Sequence, residues 1–87
     1  MKTIWKYQLS NEDDQDIESP DKAQILDVQV QNGIPHLWLF LDPNVPVRKY
    51  HVKIFGTGHP VNLDDHYVFA GTYQLHGGSF IGHVFVA

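Results

Sequence analysis

The chain has 87 residues, six Lys or Arg against ten Asp or Glu, a formal charge of −4 and no cysteine. That length makes one domain, 1–87, with a thin core, because a chain this short buries only about 60–65% of its unfolded surface. The absence of cysteine excludes disulfides, thiolate nucleophiles and Cys-based zinc or iron–sulfur sites, and points to a reducing cytoplasm. No apolar run approaches the roughly 20 residues that cross a bilayer, and the N-terminus carries no basic-then-apolar signal pattern, so no membrane role is expected.

Apolar residues recur with a period of two, the pattern of strands. Thr3 to Leu9 is the first predicted strand, with Trp5, Tyr7 and Leu9 on one face and Lys6 and Gln8 on the other. The next stretch holds Glu12, Asp13, Asp14, Asp16, Glu18 and Asp21, six of the ten acids, offset there only by Lys22. Repulsion within such a cluster predicts an extended, exposed loop. A single helical turn fits only Asp21 to Ala23, after Pro20.

Ile25 to Gln31 alternates, placing Leu26, Val28 and Val30 on one face. Asn32-Gly33 is a strong hairpin signal. His36 to Asp42 is the partner strand, with Leu37, Leu39 and Leu41 on one face and Trp38 and Phe40 on the other. Asp42-Pro43-Asn44-Val45-Pro46 reads as a turn. Arg48 to Phe55 follows, with Tyr50, Val52 and Ile54 inward. Gly56 to Pro60 closes that strand, and Asn62 to Asp65 is a polar connection. Tyr67 to His76 forms a fifth strand bent at Gly71, and Gly77-Gly78 a second tight hairpin. Phe80 to Val86 is the last strand, with a bulge or close approach at Gly82. Six strands at this spacing predict an all-β fold, a small six-stranded antiparallel barrel or sandwich with an acidic loop after the first strand.

Functional signals are fewer. Outside the acidic stretch the chain is nearly neutral and carries no basic stripe, which argues against direct nucleic-acid binding. Trp5, Tyr7, Trp38 and Phe40 form a base-stacking platform only if exposed; core burial is the alternative use of such residues. The acidic residues Glu12, Asp13, Asp14, Asp16, Glu18 and Asp21 are candidate contacts for a basic protein partner, with a solvated loop as the alternative. Gly56, Thr57, Gly58 and His59 are candidate ligand contacts, because glycines let backbone N–H groups approach a ligand closely. A plain glycine-rich strand connection is the alternative there. Asp64, Asp65 and His66 either complete that rim or form a solvated turn.

The six histidines, His36, His51, His59, His66, His76 and His83, show no His-x-His or His-x-x-x-His spacing. His76 and His83 flank the Gly77-Gly78 hairpin, where a metal site with His59 is the alternative reading, but no metal or cofactor is expected. Ser79 lacks the strand–turn–helix setting of a nucleophile elbow, and adjacent acids in a strand point apart, so an enzyme is not expected.

As a set, Ile4-Trp5-Lys6-Tyr7, Ile25 to Gly33 with Pro35 and Leu37-Trp38, Gly56-Thr57-Gly58-His59, and His83-Val84-Phe85 resemble a family of small, uncharacterised phage and prophage proteins. The resemblance implies a bacteriophage or integrated element acting in bacterial cytoplasm, and supplies no activity or site residues. The expected function is a non-enzymatic binding protein that inhibits a bacterial host or immunity protein through its acidic stretch. The alternative is a binder or sponge for a nucleotide-like ligand at the glycine loop, including a pocket between subunits of an oligomer. A histidine–metal module and a virion assembly component rank below both.

Overall fold

A computed structural model describes residues Met1–Ala87. Seven strands follow one another: β1 Thr3–Gln8, β2 Asp14–Pro20, β3 Gln24–Gln31, β4 Ile34–Leu41, β5 Val47–Gly56, β6 Val68–Leu75 and β7 Phe80–Val86. They form two antiparallel sheets, a three-stranded β1-β4-β3 and a four-stranded β2-β5-β7-β6. There is no α-helix, and so none long and apolar enough to cross a membrane.

The central strands of each sheet supply the core. Leu37, Leu39 and Leu41 of β4 face Tyr50, Val52 and Ile54 of β5 and Val84 and Val86 of β7, and all eight are buried. The period-two alternation of these segments therefore faces inward as expected. Asn32 and Gly33 both take positive φ, 52° and 75°, the requirement of a two-residue type I′ turn.

Three expectations are corrected. The acidic stretch is not a loop: Asp14–Pro20 is a seventh strand, paired with β5. Its register sets Asp14 opposite Lys53, Asp16 opposite His51 and Glu18 opposite Lys49. The repulsion that would hold the acids apart is relieved by bases from a strand about thirty residues later. Ile17 and Ser19 alternate with the acids on the inner side, where Tyr7 Oη donates to Ser19 Oγ at 2.8 Å.

Closure separates the two expected alternatives, barrel and sandwich. The sheets form a sandwich and do not close into a barrel. On one side β3 packs against β6 without forming a ladder, and Gly71 makes the approach possible: a Cβ there would stand 3.0 Å from Val28 Cβ. On the other side β1 and β2 are joined by the Tyr7–Ser19 bond.

The second correction concerns β3, where the register shifts between Ile25 and Asp27. This bulge inserts Leu26 as the extra residue, so Leu26 faces solvent at 50% exposure while Ile25 packs against the core. Asp27 fills the interrupted ladder by accepting from Val28 N at 2.8 Å. The segment Asp21–Ala23, where a helical turn was expected, is instead a turn with Lys22 at φ 60°.

That turn carries the chain from one sheet to the other, and Tyr50 fastens it. Tyr50 Oη donates to Pro20 O at 2.8 Å and accepts from Ala23 N at 3.1 Å. Arg48 lies 3.5 Å over the Tyr50 ring and pairs with Asp21 at 3.2 Å. Tyr50→Phe removes both hydroxyl bonds and keeps the ring. The expected loss is about 1–3 kcal/mol in urea unfolding, because a buried carbonyl is left unsatisfied. A neutral result would show that the hydroxyl does not hold the crossover.

Candidate functional site

The glycine loop, the β1–β2 connection and the β6–β7 hairpin meet at one end of the four-stranded sheet, and clefts open between them. The apolar-walled cleft, about 370 Å³, is bordered by Asn11, Asp13, Ile54, Tyr73, Leu75, His76 and Phe80. A second, of about 260 Å³, runs along Gly56, Thr57, His59 and the Gly78–Ile81 turn, sharing Phe80 with the first. A third shares Asp13 and Ile54 with the first and His59 with the second.

Local chemistry shapes each wall. Gly56 has no side chain, so the His59 ring packs close over it, its Cε1 3.1 Å from where a Cβ would stand. His59 N donates to Gly56 O at 3.2 Å, closing a tight turn. The β6–β7 hairpin turns through His76, Gly77 and Gly78, all at positive φ. Its register pairs Leu75 with Phe80 and Tyr73 with Gly82. The Tyr73 ring covers Gly82 so closely that a Cβ there would lie 2.6 Å from Tyr73 Cζ. Phe80 leans on Tyr73 with ring centroids 6.0 Å apart. Asp13 is held to the sheet by its backbone, its carbonyl accepting from Ile54 N at 2.8 Å.

Burial, and then the nearby Asp13 carboxylate, push the Tyr73 phenol above the ordinary tyrosine range. At neutral pH Tyr73 is therefore a hydrogen-bond donor, while the carboxylate of Asp13 is an acceptor. The cleft offers apolar walls, one donor phenol, one carboxylate, the Asn11 amide and the His76 ring, a set suited to binding.

The sequence candidates are distributed unevenly. Gly56, Thr57 and His59 line the second cleft, and Asp13 and Asp14 line the third. Gly58, at φ 86°, serves the turn. Asp14, Asp16 and Asp21 contact Lys53, His51 and Arg48 at 4.0, 2.7 and 3.2 Å, and Glu18 stands opposite Lys49. Glu12 and Asp13 make no ion pair. Asp64, Asp65 and His66 border none of these three clefts. The Asp64 carboxylate accepts from His66 N at 2.8 Å, which holds its pKa below the ordinary carboxylate value.

His76 and His83 do not meet. His83 lies opposite Thr72, with its Nε2 2.7 Å from Thr57 Oγ1 and its Nδ1 3.0 Å from Thr72 Oγ1. Both ring nitrogens are thus within hydrogen-bond reach of a hydroxyl, which can donate or accept. His, Asp and Glu side chains nowhere gather in threes at metal-binding distance. Trp38 and Phe40 are partly buried on the outer face of β4, beneath Lys6 and Lys2 at 5.5 and 5.3 Å from the ring centroids.

Sequence reasoning missed the apolar walls Ile54, Tyr73, Leu75 and Phe80. The available signal was Gly82: a glycine in a strand whose hairpin register sets it against a tyrosine marks a ring laid over the backbone.

The raised pKa of Tyr73 bears on stability. A phenol held above its unfolded value stabilises the fold fully below that unfolded value, near 10. The contribution is lost as pH rises from there through the folded value. Difference titration of wild type against Tyr73→Phe should show one late-titrating phenol, and Asp13→Asn should move it part of the way down. A Tyr73 that titrates with the exposed tyrosines would contradict this geometry.

A model of the family described as "Domain of unknown function (DUF7352)" matches residues 1–87. No curated protein and no solved structure matches the chain significantly.

Proposed function

The chain belongs to this family of unknown function over its whole length, and from that footing we propose that it is a non-enzymatic protein-binding module. Its partner inserts an apolar side chain, flanked by a basic residue, into the cleft between Asp13 and Phe80. The observation that carries this reading is the division of the acidic segment. Asp14, Asp16 and Asp21 pair with bases on β5 and Glu18 stands opposite Lys49, whereas Glu12 and Asp13 have neither an ion pair nor a base opposite them in the ladder, and Asp13 borders the apolar-walled cleft. Unpaired charge beside apolar walls speeds encounter and fixes orientation, and the buried apolar anchor supplies most of the affinity.

The resemblance of the sequence to small phage and prophage proteins supports a bacterial host protein, in the cytoplasm, as that partner. Inhibition of a host or immunity protein is the corresponding role. A small ligand is the second reading, favoured by a cleft volume within the range of small-molecule sites. The Asp13 carboxylate then favours a cationic or donor-bearing molecule over a nucleotide phosphate.

Capture from bacterial lysate with three forms of the protein tests the first reading. Wild type and the Asp14→Asn, Asp16→Asn, Glu18→Gln variant should retain the same partner. Asp13→Asn with Phe80→Ala should lose about 1–2 kcal/mol, or roughly 5–30-fold, in its affinity. Loss in the β2 variant with retention in the cleft variant, both folded, would return the contact to the β2 face and overturn the proposal.

A further inference from the structure

Two stacked sheets have four free edges, and three of them are occupied or blunted. β3 and β6 lie against each other through Val28 and Gly71. β2 carries a charge at every second residue and ends in Pro20. Such features keep an edge from recruiting another strand. β1 differs. It contains no acid, no proline and no bulge, and five of its six residues are exposed.

Its two faces are also unusual for an edge. Trp5 is on the core-facing side of β1, opposite fully buried Leu39, yet it is 41% exposed. The apolar layer of the sandwich thus runs out to the β1 edge and stops in solvent. On the other face Ile4 is 54% exposed. Lysines often guard edges, but those of β1 are drawn back over their own sheet. Lys6 Nζ donates to Gln31 Oε1 at 2.6 Å and covers Trp38, and Lys2 covers Phe40.

We infer that β1 is a self-pairing edge, at which two copies of this chain join antiparallel to make one continuous six-stranded sheet. A two-fold axis perpendicular to the sheet keeps each face on its own side, so only residues of equal parity stand opposite. Charge selects among the registers centred on the middle of the strand, Ile4 to Lys6; centring on Thr3 or Tyr7 overlaps only an end of it. Centring on Ile4 places Lys2 against Lys6 of the second copy, and centring on Lys6 places Lys6 against itself. Centring on Trp5 avoids both: Trp5 meets Trp5, Ile4 meets Lys6, and Thr3 meets Tyr7. This register joins the two apolar layers through the tryptophans and pairs the unsatisfied backbone groups of both edges. None of the residues around the Asp13–Phe80 cleft belongs to β1, so this inference stands or falls separately from the proposed function.

Native mass spectrometry and sedimentation of the full chain, followed by cysteine crosslinking, test it. The chain has no cysteine, so any crosslink reports the introduced position. Wild type should be dimeric. Trp5→Cys should crosslink to itself under oxidation, and Leu26→Cys on β3 should not. A mixture of Ile4→Cys and Lys6→Cys should give the mixed dimer in preference to either homodimer, which keeps the register testable if Trp5→Cys weakens folding. A monomeric wild type overturns the inference, and so does a dimer that crosslinks through Leu26→Cys or at none of these positions. Preferential Ile4→Cys homodimers would overturn the register.

Discussion

The pairing of acidic β2 with basic β5 is the constraint on which the architecture depends. β2 has little apolar surface to hold it: Ile17 is its one large apolar residue between Asp14 and Ser19. Its register is written instead in charge, with Asp14, Asp16 and Glu18 opposite Lys53, His51 and Lys49. Exposed ion pairs each contribute only about 0–1 kcal/mol, so the ladder adds modest stability. Its larger effect is selection, because a slip by two residues leaves an acid at the strand end without its base. Once β2 is fixed, Pro20 is delivered to the Tyr50 hydroxyl and the chain crosses to the other sheet at Asp21–Ala23.

The same ladder redistributes the surface. A segment that is strongly acidic in sequence becomes locally balanced in three dimensions, except at Glu12 and Asp13 just before the strand. Those two lie toward the end where the glycine loop and the β6–β7 hairpin also arrive. Strand β2 therefore acts as scaffold, and its preceding connection is the part that meets a cleft. The core is thin, with eleven buried hydrophobic residues, and the molecule is a slab with extents of 40 × 31 × 17 Å. Such a shape leaves much apolar area at its rims, consistent with a protein that works by contact.

Much of the fold is legible in the sequence where one residue dictates one local outcome. Leu37, Leu39 and Leu41, and Tyr50, Val52 and Ile54, face inward as their alternation demands. Asn32-Gly33 turns as its conformational preference demands, and Gly71 and Gly82 mark close approaches to Val28 and Tyr73. What is not legible depends on distant partners. The acids of β2 look self-repelling until β5 is placed beside them. Leu26 looks inward until a bulge shifts the phase of β3. The cleft draws Asn11 and Asp13, Ile54, Tyr73 and Leu75, and Phe80 from separate segments, so no spacing reveals it. Gly56, Thr57 and His59 were visible as a loop with freedom to bind, and the structure adds the walls beside them.

Amide hydrogen exchange across residues 12–20, read residue by residue, tests the account most directly. If β2 is a strand of the four-stranded sheet, amides directed at β5 between Asp14 and Ser19 exchange slowly, alternating with fast ones directed at solvent. Protection should fall when Lys49 and Lys53 are replaced by Glu. Uniformly fast exchange throughout the segment would mean a solvated acidic loop. It would remove the ladder, and with it the distinction between the paired acids and Asp13.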